Sequence, residues 1–189
     1  MRSRWTPRSP EPSNAPVVAA LLNRSWRRST GEDQTTEERV LAWMTKPERD
    51  LSRDASALVD GDGLLAGWAD VADPGYPYVN VEVSVDVDPG SANDPATWDL
   101  LLAWAEERAA TFVTKAPPDA RVALTVYAFA QERAKRDALE RSGARTVRTM
   151  RRLRIDFPPP PPSLPWPNGF VRRFLDPTAD LDALAESSR

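Results

Sequence analysis

Val79-Asn80-Val81-Glu82-Val83-Ser84-Val85-Asp86-Val87-Asp88-Pro89 is the stretch on which the fold turns. Valines alternate without a break with polar residues, which is the two-residue period of a β-strand with one face given to a core and the other polar. Pro89 has no N–H to give a ladder and ends it. Upstream, Ala57-Leu58-Val59 and Leu64-Leu65-Ala66-Gly67-Trp68-Ala69 flank Asp60-Gly61-Asp62-Gly63, whose glycines supply the positive φ of a tight hairpin, so two antiparallel strands precede the long one. Downstream, Trp98, Leu101, Leu102, Ala105, Ala109, Phe112 and Val113 fall on one side of a helix, with Glu106, Glu107 and Arg108 opposite. Val122 to Tyr127 reads as a buried strand and Glu132 to Ser142 as a helix stopped by Gly143 in the left-handed conformation. Leu153, Ile155 and Phe157 alternate as a last strand.

Two helices lead the chain. Asn14 stands where it can cap the first, Pro16 suits its opening turn, and the helix runs to about Trp26. Thr35-Thr36-Glu37-Glu38 has a capping-box pattern ahead of Val40, Trp43 and Met44, and Pro47 stops that second helix. The resulting order of helices and strands is a mixed α/β pattern of the α+β kind.

Composition excludes much chemistry. The chain has no cysteine and no histidine, which removes disulfides, thiolate catalysis, His-based triads and the usual zinc sites. Acid–base work falls to Asp, Glu, Tyr, Lys, Ser or water. The 25 basic residues are dispersed among 28 acidic ones, with no basic stripe to bind nucleic acid. No apolar run has a membrane span's length, and the first 14 residues are Pro-rich and polar, unlike a signal sequence; a cytoplasmic location is expected. No metal is expected.

Five prolines, Pro158 to Pro162, and then Leu164-Pro165-Trp166-Pro167-Asn168-Gly169 favour stiff polyproline II. The expected organisation is one domain over 1–157, a linker over 158–169, and over 170–189 a strand (Phe170-Val171-Arg172-Arg173-Phe174) with a helix start, the front of a second domain. Twenty residues of that kind cannot bury a core of their own.

From Val79 to Phe157 the chain resembles the GNAT superfamily of acyl-CoA N-acyltransferases. The resemblance is carried by a long strand ending in Val87-Asp88-Pro89, a twelve-residue connection, the helix Leu101-Leu102-Ala103-Trp104-Ala105-Glu106-Glu107-Arg108-Ala109, a strand, and Ala138-Leu139-Glu140-Arg141-Ser142-Gly143-Ala144. With the hairpin and leading helices it covers roughly residues 4–157. Within the superfamily the chain looks most like the N-terminal half of the tandem group that includes mycothiol synthase. The resemblance implies a mostly antiparallel sheet with a splayed central strand pair and helices on both faces. It also implies transfer of an acetyl group from acetyl-CoA to a small amine.

In the family, acyl-CoA lies in that splay, and its pyrophosphate is held by backbone amides of an Arg/Gln-x-x-Gly-x-Gly/Ala loop opening the next helix, where unpaired N–H groups and the dipole favour an anion. The matching positions are Val85 and Val87 on the strand and Ser91, Ala92, Asn93, Asp94 and Thr97 in the loop. Ala92 replaces the Arg/Gln, while Pro95 and Thr97 replace the small residues. Pro95 removes a donor, Thr97 adds bulk, and Asp94 is placed to cap the helix with its own carboxylate. The implication is a degenerate acyl-CoA loop. Glu82 falls where many relatives carry a general base, although it is also simply one polar residue on an alternating face. The usual acid, a Tyr, is here Leu139, and Tyr127 is the substitute if its hydroxyl turns into the splay. Trp98 lies where the pantetheine arm passes, while Trp68 and Trp104 are assigned to packing.

Two functions follow. One is an N-acetyltransferase polypeptide whose half represented here is weakly active or non-catalytic. The other is a pseudo-GNAT structural or interaction module supporting a second, catalytic GNAT domain; a homodimer is also open. A third reading, an unrelated α/β protein with the same element order, is separated from both by whether the central strands splay.

Overall fold

The computed structural model describes residues 4–151, 153, 164–171, 173, 174, 176 and 180. The chain divides into two units, 1–147 and 148–189. The first contains every helix and strand of the described residues: β1 (Thr6–Arg8), α1 (Ala15–Thr30), α2 (Glu37–Met44), a short α3 (Leu51–Asp54), β2 (Ala55–Val59), β3 (Leu65–Val71), β4 (Asn80–Val87), α4 (Pro95–Ala110), β5 (Ala123–Val126) and α5 (Arg133–Arg141). The five strands form one sheet in the order β1-β2-β3-β4-β5, antiparallel except for the parallel pair β4 and β5. This is the mixed, mostly antiparallel α/β sheet expected.

The period-two pattern of β4 divides two cores. Val81, Val83, Val85 and Val87 are buried against Leu101, Leu102, Ala105 and Phe112 of the α4 side. Helix α4 approaches so closely that a Cβ built on Gly67 of β3 would lie 2.7 Å from Leu101 Cδ1, and that side chain would have to shift to admit it. On the opposite face α1 and α2 pack Val18, Leu21, Leu22, Val40 and Met44 around Trp68, whose indole meets Trp43 edge-on at 5.9 Å.

Local signals account for the element ends. Asp60 closes the hairpin by accepting from Asp62 and Leu64 N–H through Oδ1, with Gly63 at φ 80°. Thr36 caps α2 by accepting from Arg39 N–H, and Gly143 follows α5 at φ 88°. Asn14 departs from expectation: its Oδ1 accepts from Glu11 N–H at 2.8 Å, closing the preceding 3-10 turn instead of capping α1.

Arg108 also corrects the sequence reading. It is 7% exposed, not on the solvent side of α4, and its guanidinium donates twice to Asp54 Oδ1, at 3.1 and 2.8 Å, while lying over the Phe112 ring. The short helix α3 puts Asp54 there, and Arg53 donates to the same carboxylate. Burial pushes the Asp54 carboxyl upward, but donors from Arg53, the Asp50 backbone and Arg108 outweigh it and hold the group at about 2.

In the second unit Arg173 Nη2 pairs with Asp180 Oδ1 at 2.5 Å, and Phe170 N–H donates to Pro167 C=O. Of the strands expected over Leu153–Phe157 and Phe170–Phe174, the described residues Leu153, Phe170, Val171, Arg173 and Phe174 lie outside any strand and are exposed. A strand needs ladder bonds from a neighbour and a buried face, and these residues have neither among the described residues. Ile155, Phe157, Pro158 to Pro162 and the helix start beyond Asp176, Asp180 apart, lie outside the described residues.

Because the folded Asp54 carboxyl sits below its ordinary value, its contribution is complete above pH 3.8 and fades as pH falls toward about 2. Asp54→Asn leaves Arg108 buried without its anion, and urea unfolding at pH 7 should show a loss of about 3–5 kcal/mol. The difference from the wild type should narrow below pH 3.8.

Candidate functional site

The parallel pairing of β4 with β5 lasts four positions, Asn80 with Ala123 to Val83 with Val126. There β5 stops, while β4 continues to Val87. Successive residues of a strand turn their backbone groups to opposite edges. The even positions of β4 serve β3, since Glu82 C=O accepts from Ala72 N–H and Asp88 N–H donates to Ala66 C=O. The backbones of Val85 and Val87 therefore face the other edge, past the end of β5. The two strands share a seam and then part.

On the polar side of that seam the structure brings the two candidate catalytic residues together. Tyr127 Oη lies 3.4 Å from Glu82 Oε1, and next to them Thr125 Oγ1 donates to Asn80 Oδ1 at 2.6 Å. Both pairs are exposed. Glu82 also lines a cavity of about 350 Å³ with Asp73, Tyr78 and Asn80. Leu139, at the position of the family's Tyr, is partly buried against the core and has no group to give a proton.

The loop between β4 and α4 is closed upon itself. Gly90 N–H donates to Asp88 Oδ1, Ser91 N–H to Asp88 C=O, and Asp94 N–H to Ser91 C=O, at 3.0, 2.8 and 3.0 Å. Asp94 is the N-cap of α4: its Oδ1 accepts from Ala96 N–H at 3.1 Å and its C=O from Thr97 N–H. Asp94 Oδ2 accepts from the indole of Trp5, 2.9 Å away, on a residue 4% exposed just ahead of β1. Trp98 is turned inward and gives its indole N–H to Ala92 C=O at 2.8 Å, and Thr97 is fully buried with its hydroxyl toward Ser91 C=O. Ser91, Ala92 and Asn93 thus form a turn stapled from both ends. Trp68 is a core residue, and Trp104 packs partly buried against the core.

Sequence reasoning missed Trp5. Its partner stands 89 positions away, and an indole near a chain start carries no local signal of such a contact. It also missed a buried polar network under α1 and α2, built on Asp70, Asp86 and Arg49, because an alternating polar face was read as solvated. Asp86 is 2% exposed and accepts from Ser25 Oγ and Trp26 Nε1 of α1.

Among the described residues no group of three or more His, Cys, Asp or Glu is placed to hold a metal ion, and no helix is long and apolar enough to cross a membrane.

No protein-family model matches this chain, and no curated protein matches it. Solved structures do. A GCN5-related N-acetyltransferase from Sphaerobacter thermophilus superposes with a TM-score of 0.81 and 28% identity over 100% of this chain and 58% of its own. A Salmonella typhimurium protein described as an acetyltransferase, yncA, solved with its cofactor acetyl-CoA, gives 0.58 at 18% identity over 75% of this chain and 79% of its own. An N-acetyltransferase from Staphylococcus aureus Mu50 gives 0.56 at 19% over 75% and 83%. The fold is that of the GNAT acyltransferases, and the chain spans 58% of the length of the Sphaerobacter protein.

Asp94→Ala removes the helix cap and the partner of Trp5 together, and thermal or urea unfolding should report a loss of about 1–2 kcal/mol. Asp94→Asn, whose amide oxygen still accepts from Ala96 N–H, should lose less.

Proposed function

We propose that this chain belongs to a GNAT-type N-acetyltransferase polypeptide acting on an amine, and that the unit spanning 1–147 binds acyl-CoA weakly or not at all. The observation that carries the reading is the loop from Asp88 to Thr97, whose amides are bonded to Asp88, Ser91 and Asp94. A pyrophosphate needs several N–H groups aimed at it and no fixed anion in their midst. Here Pro95 has no N–H, and the carboxylate of Asp94 already occupies the helix N-terminus. The residues present do not fit the group, so no chemical step through acyl-CoA is assigned to this unit.

The acceptor side is better preserved. Glu82 is an exposed carboxylate beside a phenol at the mouth of the seam, suited to hold an ammonium and take its proton. Catalysis then falls mainly to a second GNAT domain, in the tandem arrangement of the mycothiol synthase group. The length of the Sphaerobacter protein, of which this chain spans 58%, leaves room for such a domain in a polypeptide of that kind.

The same loop favours a second reading, a pseudo-GNAT module that shapes the cleft or buttresses its partner without touching cofactor. Calorimetric titration of acetyl-CoA into the full chain separates the two. No heat of binding is expected from the wild type. The triple variant Ala92→Arg, Asp94→Gly, Pro95→Gly, checked for folding by circular dichroism, should gain binding toward the micromolar range, about −8 kcal/mol. Micromolar binding by the wild type would overturn the degenerate-loop reading. Absence of binding by a folded triple variant would favour the purely structural module.

A further inference from the structure

The cavity in which Glu82 stands opens where the pairing of β3 with β4 runs out. Ala72 N–H donates to Glu82 C=O, so these two residues are opposite each other and Asp73 follows one step beyond. From Asp73 the connection folds into turns: Gly75 N–H donates to Asp73 Oδ1 at 2.9 Å, and Tyr78 N–H to Gly75 C=O at 2.7 Å. Tyr78 is the fixed part of the wall. Its φ is 61°, in the left-handed region that residues other than glycine rarely take, and its ring is stacked on the buried Phe112 at 6.2 Å with 16° between the planes. Strain of this kind persists where packing imposes it, and the stacked ring is that packing.

Two carboxylates, Asp73 and Glu82, line the cavity with the Asn80 carboxamide, and no basic residue is among its lining residues. Both carboxylates are exposed, and neither is spent on an ion pair with a described residue: Glu82 meets the Tyr127 phenol at 3.4 Å, and Asp73 the Gly75 amide. Two cations stand nearby without lining the cavity. Arg53 donates to both oxygens of Asp54 while its charge also reaches Asp73, and Lys115 Nζ lies over the Phe112 and Tyr78 rings at 4.9 and 5.5 Å.

An amine held at Glu82 therefore extends its far end toward a second negative charge. A carboxylate there would meet a like charge, a methyl group would leave Asp73 to water, and a second ammonium would find an opposite charge. The carbon chain between the two ends would lie along Pro74, Pro77 and Val79 of the wall.

We propose that this cavity selects a short diamine, with the ammonium to be acylated at Glu82 and the second ammonium at Asp73. Glu82 takes the reacting end because it stands with Tyr127 one position before the β4–β5 ladder stops, whereas Asp73 lies on the β3 side of the cavity. The inference rests on the reading of Glu82 as the acceptor group of an N-acetyltransferase polypeptide, and it adds the class of amine. An amino acid, whose carboxylate would stand among these acidic groups, is disfavoured.

Amide NMR titrations of the full chain at low ionic strength test this with diaminobutane, butylamine and aminobutyrate, amines of one chain length that end in an ammonium, a methyl group and a carboxylate. Diaminobutane should bind about fivefold more tightly than butylamine, the scale of an exposed ion pair. Aminobutyrate should bind more weakly than either, the shifts should centre on the amides of Gly75, Asn80 and Glu82, and added salt should shrink the preference. Asp73→Asn, whose amide oxygen still accepts from Gly75 N–H, should bring diaminobutane down to the butylamine value apart from the statistical advantage of two equivalent ends. Glu82→Gln should weaken both amines. A diamine no tighter than butylamine, or a preference that survives Asp73→Asn, would overturn the diamine assignment and leave Glu82 as an amine site. Binding of no amine, or binding untouched by Glu82→Gln, would overturn the acceptor-site reading itself.

Discussion

The site depends on a hydrogen-bonding mismatch: two parallel strands that pair for four residues, one of which then ends while the other goes on. A parallel ladder is normally covered and continuous. Here it is interrupted at Val83 and Val126, and the backbone of Val85 and Val87 is left facing an edge that β5 does not reach. The seam on the polar face, with Glu82 and Tyr127 together, exists because the pairing holds up to that point. The loop into α4 starts where β4 finally stops. The Glu82–Tyr127 pair and the loop into α4 are therefore positioned by one strand register.

Much of this was legible in the sequence because the deciding signals are local. The valine alternation of β4, the Asp-Gly-Asp-Gly turn, the apolar stripe of α4 and the Gly143 stop each act within a few residues, and each stands where its pattern placed it, except that Val113 falls beyond α4 and is exposed. The chemistry of the α4 start was also readable, since Asp94-Pro95 is a complete cap written in two adjacent residues. What escaped were contacts whose halves carry no mark of each other. β1 is three residues long and draws its reason from β2, some fifty positions on. Arg108 looked like the third residue of a charged face until α3, a helix of four residues, delivered Asp54 to it. The burial of Asp86 depends on where α1 lies, which a period-two pattern cannot say.

The two buried ion clusters are neighbours, since Ala55, next to Asp54, stands opposite Asp70, yet their carboxyls shift in opposite directions. Around Asp54 the donors outnumber the acceptors, and the carboxylate is held ionised far into acid. Around Asp70 burial, with Asp86 nearby, outweighs the donors Trp68, Arg49 and Ser84 and pushes the carboxyl up to about 6. One cluster fastens α4 to the start of β2 irrespective of pH in the ordinary range. The other joins the segment after α2 to β3, where Arg49 reaches Asp70 and Val71.

The bond from Trp5 to Asp94 ties the loop ahead of α4 to the residue just before β1. Asp94 serves Ala96 within its own helix and Trp5 from the start of the chain, so its replacement disturbs two places at once. A single carboxylate thus couples the order of the chain's first described residues to that of the α4 entrance.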